Sequence, residues 1–510
     1  MKIAHRRDGD RRLRARYGPP VGGRRRIIIA GAGPGGICTA IKLKHAGIED
    51  FVILEKSGRP GGTWSRNRYP GLSCDVPSLL YSFSFEQKVD WSRPFATQPE
   101  ILDYMAHVVE KYDLEPHIRL HSEIRDARWE DDRDAWRVTT SEGWTTASDV
   151  LVSGLGMFNR LRWPDVPGVE DFSGLTVHSG AWPEQGLDLT GRAVAVIGSA
   201  ASAVQMIPEL ARQASRLDVY QRTPNWVFPR DDTPYTEAEL EERRRDPSVA
   251  LALRQEFLEF FERLLTYSDA ELIADLEAQG RENLAQVRDP ELRERLRPKL
   301  PFGAQRPLNS DHYYPTFNQD HVTLITDPIG EITARGVRTA DGTERPVDVL
   351  VLATGYEANR FLSVIDVVGR DGLHLNDLWR DGPHAYRGVT VAGFPNLFML
   401  YGPNTNTGSI LQMLEYQADY IVAKLQRMDR EGLSRLEVRA DAMEAYNASL
   451  QEDIAKVEAW HEVGSRYYRH ESGRIVTQFP GNMAAFKAVL DVPDEDAYVG
   501  GAAREPVASA

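Results

Sequence analysis

The clearest hydrophobic pattern lies near the N-terminus, where an apolar run, a glycine-rich turn, a helix-length segment and a second apolar run follow one another over residues 25–55. Apolar runs that alternate with helix-length segments are typical of parallel strands joined by helices. The first run ends in Gly31-x-Gly33-x-x-Gly36, a turn that lets N–H groups at a helix N-terminus approach a pyrophosphate. Glu55 ends the second run, where a carboxylate can accept hydrogen bonds from ribose hydroxyls. The stretch predicts a dinucleotide-binding unit.

A second copy of this pattern follows later in the chain. The apolar run from Arg192 to Ile197 leads into Gly198-Ser-Ala200-Ala-Ser-Ala203, where alanine replaces two of the three glycines. Alanine is allowed at the third position of the turn, whereas the methyl group of Ala200 would crowd a bound pyrophosphate. A second dinucleotide-binding unit is predicted here.

The residue after the next strand pattern indicates which dinucleotide binds. Arg222 is as far from Gly198 as Glu55 is from Gly31, and Thr223 follows it. A carboxylate would repel the 2′-phosphate of NADPH, whereas a guanidinium can bind it with two hydrogen bonds. The alternative is a surface arginine after an edge strand. The pattern favours NADPH over NADH, and the expected binding residues are Gly198, Ser199, Ala200, Ser202, Ala203, Arg222 and Thr223.

The remaining segments complete the pattern of elements. Short alternating stretches between Glu123 and Gly156 predict a β-meander. Residues 230–300 are highly charged and predict a helical insertion that begins with a capping box at Thr236 and Glu239. One apolar stripe of this insertion has helical spacing and is expected to be core: Leu253, Phe257, Phe260 and Leu264. Apolar runs that begin at His321, Asp348 and Phe394 predict strands, and Ser409 to Met428 predicts a helix.

Composition narrows the class of protein. A chain of 510 residues with 42% hydrophobic and 27% charged residues fits two or three globular domains, and its charge-free stretches are too short to span a membrane. Residues 1–26 carry a net charge of +8 and leave −22 for the remainder, which argues against nucleic acid as the main partner. Cys38 and Cys74 are the only cysteines, so a cytoplasmic protein is expected and a flavin-disulfide reductase is disfavoured. No metal site is predicted.

The loop after Glu55 carries the most specific motif. It reads Gly61-Gly62-Thr63-Trp64, then Tyr69-Pro70-Gly71 and Cys74-Asp75. Adjacent glycines let a loop pass close to a cofactor, and a tryptophan offers a flat face to a ring system, although a glycine-rich surface loop is the alternative. The string from Gly61 to Asp75 resembles the class B flavin-dependent monooxygenases, specifically the type I Baeyer-Villiger monooxygenases of the flavin-containing monooxygenase superfamily.

Two later motifs resemble the same family. Phe172-x-Gly174-x-x-x-His178-x-x-x-Trp182-Pro183 fits the Baeyer-Villiger fingerprint at each fixed position, and Ala353-Thr354-Gly355-Tyr356 ends an apolar run in the family manner. The resemblance implies FAD as well as NADPH. The expected FAD-binding residues are Gly31, Gly33, Gly36, Glu55, Gly62, Thr63, Trp64, Asp75, Tyr81 and Met413, the last of which either touches the ring or packs in the core.

The resemblance also implies a reaction. NADPH would reduce FAD, O₂ would add as a C4a-peroxyflavin, and one oxygen atom would be inserted beside a ketone carbonyl to give an ester or lactone. Arg306 would stabilise the negative charge of this chemistry, and Asp75 would orient Arg306. Gln305 stands where the family usually has lysine, and Arg466 stands where it often has tryptophan. The expected partners are a small ketone and O₂, with no nucleic acid and no membrane insertion.

The fold class expected is α/β, with two Rossmann-like dinucleotide-binding domains, for FAD and NADPH, and a helical insertion. The expected segments are a disordered basic arm (1–23), FAD domain (24–160), NADPH domain (161–229), insertion (230–300), NADPH domain (301–352), FAD domain (353–495) and disordered tail (496–510). Two other functions stay open. One keeps both cofactors but oxygenates nitrogen or sulfur. The other is a nucleotide-binding protein without oxygenase activity, suggested by Ala200, Gln305 and Arg466.

Overall fold

The structure is a computed structural model that describes residues 25–462 and 467–502. The expectations for the basic arm at 1–23 and for Arg466 lie outside these residues. Two parallel sheets organise the described chain, and the second is inserted in sequence between strands of the first.

The first sheet consists of short apolar strands. Their order across the sheet is Leu397–Met399, Val150–Ser153, Ile27–Ala30, Phe51–Leu54 and Ile118–Arg119, and each neighbouring pair is parallel. Every residue of the strands Ile27–Ala30 and Val150–Ser153 is buried, as expected for strands covered on both faces. The helices Pro34–His45 and Ile410–Arg430 pack against each other beside this sheet.

The second sheet repeats the arrangement. Its order is Val322–Ile325, Arg216–Tyr220, Ala193–Ile197, Val349–Leu352 and Leu175–His178, again with parallel pairs only. The helix Ala201–Ala211 follows the glycine-containing turn after Ala193–Ile197. The predicted α/β fold class with two parallel, doubly wound sheets is therefore confirmed.

Smaller sheets accompany the two parallel sheets. The predicted meander is a four-stranded sheet in the order Asp366–Val368, Ile124–Glu130, Ala135–Thr140 and Thr145–Ser148. The strand Thr145–Ser148 was not predicted, because its Thr-Thr-Ala-Ser sequence has no apolar alternation. The strands Ile329–Ile332, Gly336–Thr339 and Glu344–Pro346 form an antiparallel sheet. A two-stranded parallel ribbon, Val227–Phe228 with Leu308–Asn309, lies at the two ends of the helical insertion.

The disordered tail expected from residue 496 is wrong in its first part. Tyr498–Ala502 forms a strand that pairs antiparallel with Leu433–Val438. Tyr498 is 6% exposed, and its hydroxyl contacts the hydroxyls of Thr390 at 2.9 Å and Tyr420 at 2.8 Å. The backbone ladder and the buried Tyr498 side chain with its polar partners both fix this strand.

Four helices form the insertion: Glu237–Arg245, Pro247–Leu264, Ala270–Leu284 and Pro290–Leu296. The capping box is confirmed, because Thr236 Oγ1 accepts from the Glu239 N–H and the Glu239 carboxylate accepts from the Thr236 N–H. The apolar stripe is wrong at Phe260, which is 39% exposed, while neighbouring Phe261 packs on the core. The remaining helices are Thr63–Arg66, Gln98–Lys111, Tyr313–Thr316, Leu375–Leu378, Ala440–Ala455 and Met483–Asp491. No helix in the described part of the chain is both long and apolar enough to cross a membrane.

Candidate active site

One cavity of about 1370 Å³ contacts both glycine-containing turns. Ligand pockets for one small molecule usually have volumes of about 300–1,000 Å³, so this cavity has room for more than one ligand. The predicted site residues that line it are Gly31, Gly33, Glu55, Gly62, Thr63, Trp64, Asp75, Tyr81, Gly198, Ser199, Ala200, Ser202, Arg222, Thr223 and Arg306. Three other predicted residues, Gly36, Ala203 and Met413, are buried outside the lining.

The first turn is shaped by glycines that approach other backbone atoms closely. Gly31 has φ 95°, and a Cβ on Gly36 would lie 2.0 Å from the Gly31 carbonyl oxygen. A Cβ on Gly62 would lie 2.7 Å from Gly33 Cα, so the turn and the Gly61-Gly62 loop touch without side chains between them. Gly33 is the N-cap residue of the helix Pro34–His45, and it has no side chain that could accept hydrogen bonds from the first N–H groups of the helix. This leaves a narrow cradle at a positive helix end, which fits the pyrophosphate of a dinucleotide.

Glu55 is bound to the turn itself. Its Oε2 accepts from the Ala32 N–H at 2.8 Å, and its Oε1 accepts from the N–H and the hydroxyl of Ser57 at 2.8 and 2.7 Å. A carboxylate has about four acceptor positions, and three are used here, so about one remains for a ribose hydroxyl. The predicted ribose contact stays a prediction.

Aromatic residues wall the cavity beyond the turn. The Trp64 indole N–H donates to the Tyr81 hydroxyl at 2.9 Å, and the two rings meet edge to face. Burial raises the pKa of Tyr81, so its phenol stays neutral. The alternative of a ring contact by Met413 is wrong, because this side chain is 0% exposed. Ile410 and Leu414 of the same helix line the cavity instead.

The second turn presents Arg222 to the cavity. Gly198 has φ 124°, and a Cβ on it would lie 2.4 Å from the Ala353 carbonyl oxygen. Ala200 caps the helix Ala201–Ala211 in an extended conformation and is exposed. Arg222 is exposed at the cavity and forms no ion pair within residues 25–462 and 467–502. Its guanidinium is therefore available to an anionic ligand, and Gln305 lines the same cavity.

The two predicted catalytic residues lie together. The Arg306 Nε–H donates to Asp75 Oδ2 and Nη2–H donates to Oδ1, both at 2.8 Å. The charge of Asp75 raises the pKa of Arg306 well above its usual value. The Arg306 side chain is 39% exposed to the cavity, and that of Asp75 is 24% exposed. The guanidinium is thus held in two-point geometry while three of its five N–H groups remain outside this pair.

Two tyrosines near Arg306 were missed by the sequence analysis. Tyr401 and Tyr467 line the cavity, and burial raises the pKa of both phenols, while the charge of Arg306 partly offsets this effect. The Tyr401 hydroxyl donates to Asn406 Oδ1 at 2.5 Å. Tyr401 has φ 54°, which is unusual for a bulky residue and occurs often at functional sites. Its place directly before the Gly402-Pro403 loop was the available signal.

His178 of the Phe172–Pro183 motif ends the strand Leu175–His178 and makes hydrogen bonds through both ring nitrogens. Its Nδ1 accepts from the Gly180 N–H at 3.0 Å, and its Nε2–H donates to the Arg162 carbonyl at 3.2 Å. Burial lowers the pKa of His178. Both ring nitrogens therefore bond to backbone groups of the protein.

Comparison with known proteins identifies the family. The chain is 39% identical over 480 residues to a Baeyer-Villiger monooxygenase of Pseudomonas aeruginosa, covering 93% of this chain and 91% of that protein. The chain belongs to the Baeyer-Villiger monooxygenase family. A Baeyer-Villiger monooxygenase of Streptomyces coelicolor is 37% identical, with 91% and 90% of the two chains covered. Residues 28–263 also match a broader family model, pyridine nucleotide-disulphide oxidoreductase.

Solved structures agree with this assignment. The closed structure of cyclohexanone monooxygenase has a TM-score of 0.84 at 31% identity, covering 94% of this chain and 99% of that one. The OTEMO complex with FAD and NADP has a TM-score of 0.83 at 28% identity, covering 94% and 99%. The chain is accordingly an NADPH-dependent flavoprotein monooxygenase with FAD and NADPH as cofactors. Its two cysteines are free and buried, unlike a redox disulfide pair.

Proposed function

We propose that this Baeyer-Villiger monooxygenase inserts one oxygen atom from O₂ beside the carbonyl of a small ketone and releases an ester or lactone. The observation that carries the proposal is the Arg306–Asp75 pair, which is exposed to a cavity that also contacts both dinucleotide turns. When bound at this cavity, FAD reduced by NADPH would supply the activated oxygen. The side chains of the protein position the reactants, and Arg306 supplies a positive charge.

The role of Arg306 follows from its charge and geometry. Oxygen transfer to a carbonyl carbon places negative charge on oxygen atoms, and a fixed cation in a cavity of low dielectric stabilises such charge strongly. Asp75 binds Nε–H and one Nη2–H and so fixes the plane of the guanidinium. The remaining N–H groups can donate to the developing oxyanion. Asp75 also compensates the charge of Arg306 when no anion is present.

The roles of the nucleotide-binding residues are proposals of the same kind. The first turn and the Gly62–Trp64 loop would hold FAD, and the second turn with Arg222 would hold NADPH. Arg222 would bind the 2′-phosphate without a lysine at position 305, because Gln305 stands where the family usually has that lysine. The domain boundaries expected from the sequence are proposed with them, except that the second part of the FAD domain extends to residue 502.

The experiment combines oxygen uptake with product identification. Purified protein should be yellow, NADPH should bleach it under anaerobic conditions, and a ketone panel should reveal NADPH-dependent O₂ uptake. NMR of the products should show esters or lactones, which have the same mass as other products of one-oxygen addition but a different structure. Sulfoxides or N-oxides with no ester would favour the nitrogen- and sulfur-oxidising alternative. Protein without flavin would favour a nucleotide-binding protein without oxygenase activity.

A further inference from the structure

The loop that carries Asp75 is bound at a second point in addition to the Arg306–Asp75 pair. The ribbon strands Val227–Phe228 and Leu308–Asn309 are parallel neighbours, so Arg306 lies before one end of the ribbon and Arg230 lies after the other. Arg306 binds the Asp75 carboxylate, and Arg230, at the other end of the ribbon, donates from Nη2 to the Cys74 carbonyl at 2.8 Å. Two consecutive loop residues are thus bound by two arginines that flank one ribbon.

Arg230 is itself held in place. Its Nε lies 3.4 Å from Asp232 Oδ2, with side chains only 9% and 14% exposed. Its guanidinium lies over the Phe95 ring, 5.0 Å from the centroid, and its backbone N–H donates to Asp311 Oδ1 at 2.7 Å. A guanidinium with contacts on its face, its edge and its own backbone has little freedom to move.

These contacts close into a ring. Asp232 Oδ1 accepts from the Phe95 N–H at 3.0 Å. The next residue, Ala96, accepts from the Cys74 N–H at 2.9 Å through its carbonyl. The ring therefore runs from Cys74 to Ala96, then to Asp232, Arg230 and back to the Cys74 carbonyl. Arg230 and Asp232 themselves lie outside the cavity lining.

We propose that Arg230 is a positioning residue, which holds the Cys74–Asp75 backbone where Asp75 can bind Arg306 at two points, and that Asp232 keeps Arg230 in place. The proposal rests on the proposed role of the Arg306–Asp75 pair in ketone oxidation. Two-point binding demands an accurate carboxylate position, because both N–H···O bonds must form together. A displacement of about 1 Å at a catalytic group can reduce the rate about a hundredfold.

The first test compares Arg230→Ala and Asp232→Asn with the matched control Arg93→Gln. Arg93 is the control because it is also an arginine that contacts Asp232, with Nη1 3.5 Å from Oδ2. The Cys74 carbonyl accepts its hydrogen bond from Arg230 and not from Arg93. For each protein, the ratio of ester to hydrogen peroxide formed per NADPH is measured with a ketone substrate. We expect this ratio to fall about tenfold to a hundredfold in Arg230→Ala, with a smaller fall in Asp232→Asn. The KM for NADPH should change less than about twofold, and Arg230→Lys should recover part of the ratio.

The second test does not depend on oxygenation. Hydrogen exchange of the FAD-loaded proteins should become faster in peptides covering residues 71–80 in Arg230→Ala and stay unchanged there in Arg93→Gln. A wild-type ester ratio in Arg230→Ala, or an equal loss in Arg93→Gln, would overturn the proposal. Wild-type exchange in the Arg230→Ala peptides would overturn it as well. If the wild-type protein forms no ester from any ketone while exchange changes as expected, the proposed function fails and the structural link from Arg230 to this loop is supported.

Discussion

Replacing Arg306 with alanine should separate cofactor reduction from oxygen transfer. The substitution removes the two N–H···O bonds to Asp75, each 2.8 Å long, and the three N–H groups that remain outside this pair. It does not alter either glycine-containing turn or Arg222. FAD should therefore still bind, and NADPH should still reduce it at a rate within a few-fold of the wild type.

The size of the effect follows from the number of donors removed. Loss of a single fixed donor aimed at a developing oxyanion reduces turnover about 10²–10³-fold, or about 2.7–4 kcal/mol. Arg306 contributes a full positive charge and more than one available N–H, so ester formation should fall by at least this factor.

The assay follows NADPH oxidation, hydrogen peroxide and ester in the same reaction. In Arg306→Ala, nearly all oxidised NADPH should appear as peroxide. Arg306→Lys is the control, because it keeps the charge but cannot bind Asp75 in two-point geometry. It should retain more ester formation than the alanine variant. Ester formation within about tenfold of the wild type in Arg306→Ala would refute the assigned role.

Three further substitutions test the nucleotide sites. Arg222→Ala should raise the KM for NADPH about tenfold to a hundredfold, from the loss of charged hydrogen bonds worth about 1.5–3 kcal/mol, and should leave the KM for NADH nearly unchanged; equal effects would remove the 2′-phosphate argument. Gln305→Lys should lower the KM for NADPH several-fold, and an unchanged KM would show that this position does not face the phosphate. Gly36→Ala should lower the Tm and the flavin content, because its Cβ would lie 2.0 Å from a backbone oxygen, an overlap that costs about 1–3 kcal/mol or more. Gly330→Ala is its control, since a Cβ there would have no neighbour closer than 3.5 Å, and equal losses in both variants would contradict the packing argument.

Local patterns predicted the nucleotide units well for a physical reason. The turn glycines and Glu55 are close in sequence, and the same short segment determines both the strand and the helix that place them. Thr236 and Glu239 form a capping box for the same reason. Helical spacing alone predicted the wrong buried side chain at Phe260, because the buried side of that helix is centred nearer Phe261.

Contacts between distant segments could not be read from local patterns. Arg306 and Asp75 are 231 residues apart, and only the family resemblance suggested that they meet. Tyr401 and Asn406 reach the cavity because of how a later loop packs, and the strand Tyr498–Ala502 depends on its partner at Leu433–Val438. The ring through Arg230 and Asp232 combines three separate segments and had no sequence signal.

Isotope labelling tests the central claim most directly. The protein is incubated with NADPH, a cyclic ketone and ¹⁸O₂, and the position of the label in the product is determined by NMR and fragment masses. One ¹⁸O atom in the ring of a lactone, between the carbonyl carbon and the migrated carbon, is the predicted result. Unlabelled product, label only in hydrogen peroxide, or oxygenation confined to sulfur and nitrogen substrates would contradict the assignment of ketone oxygenation to this cavity.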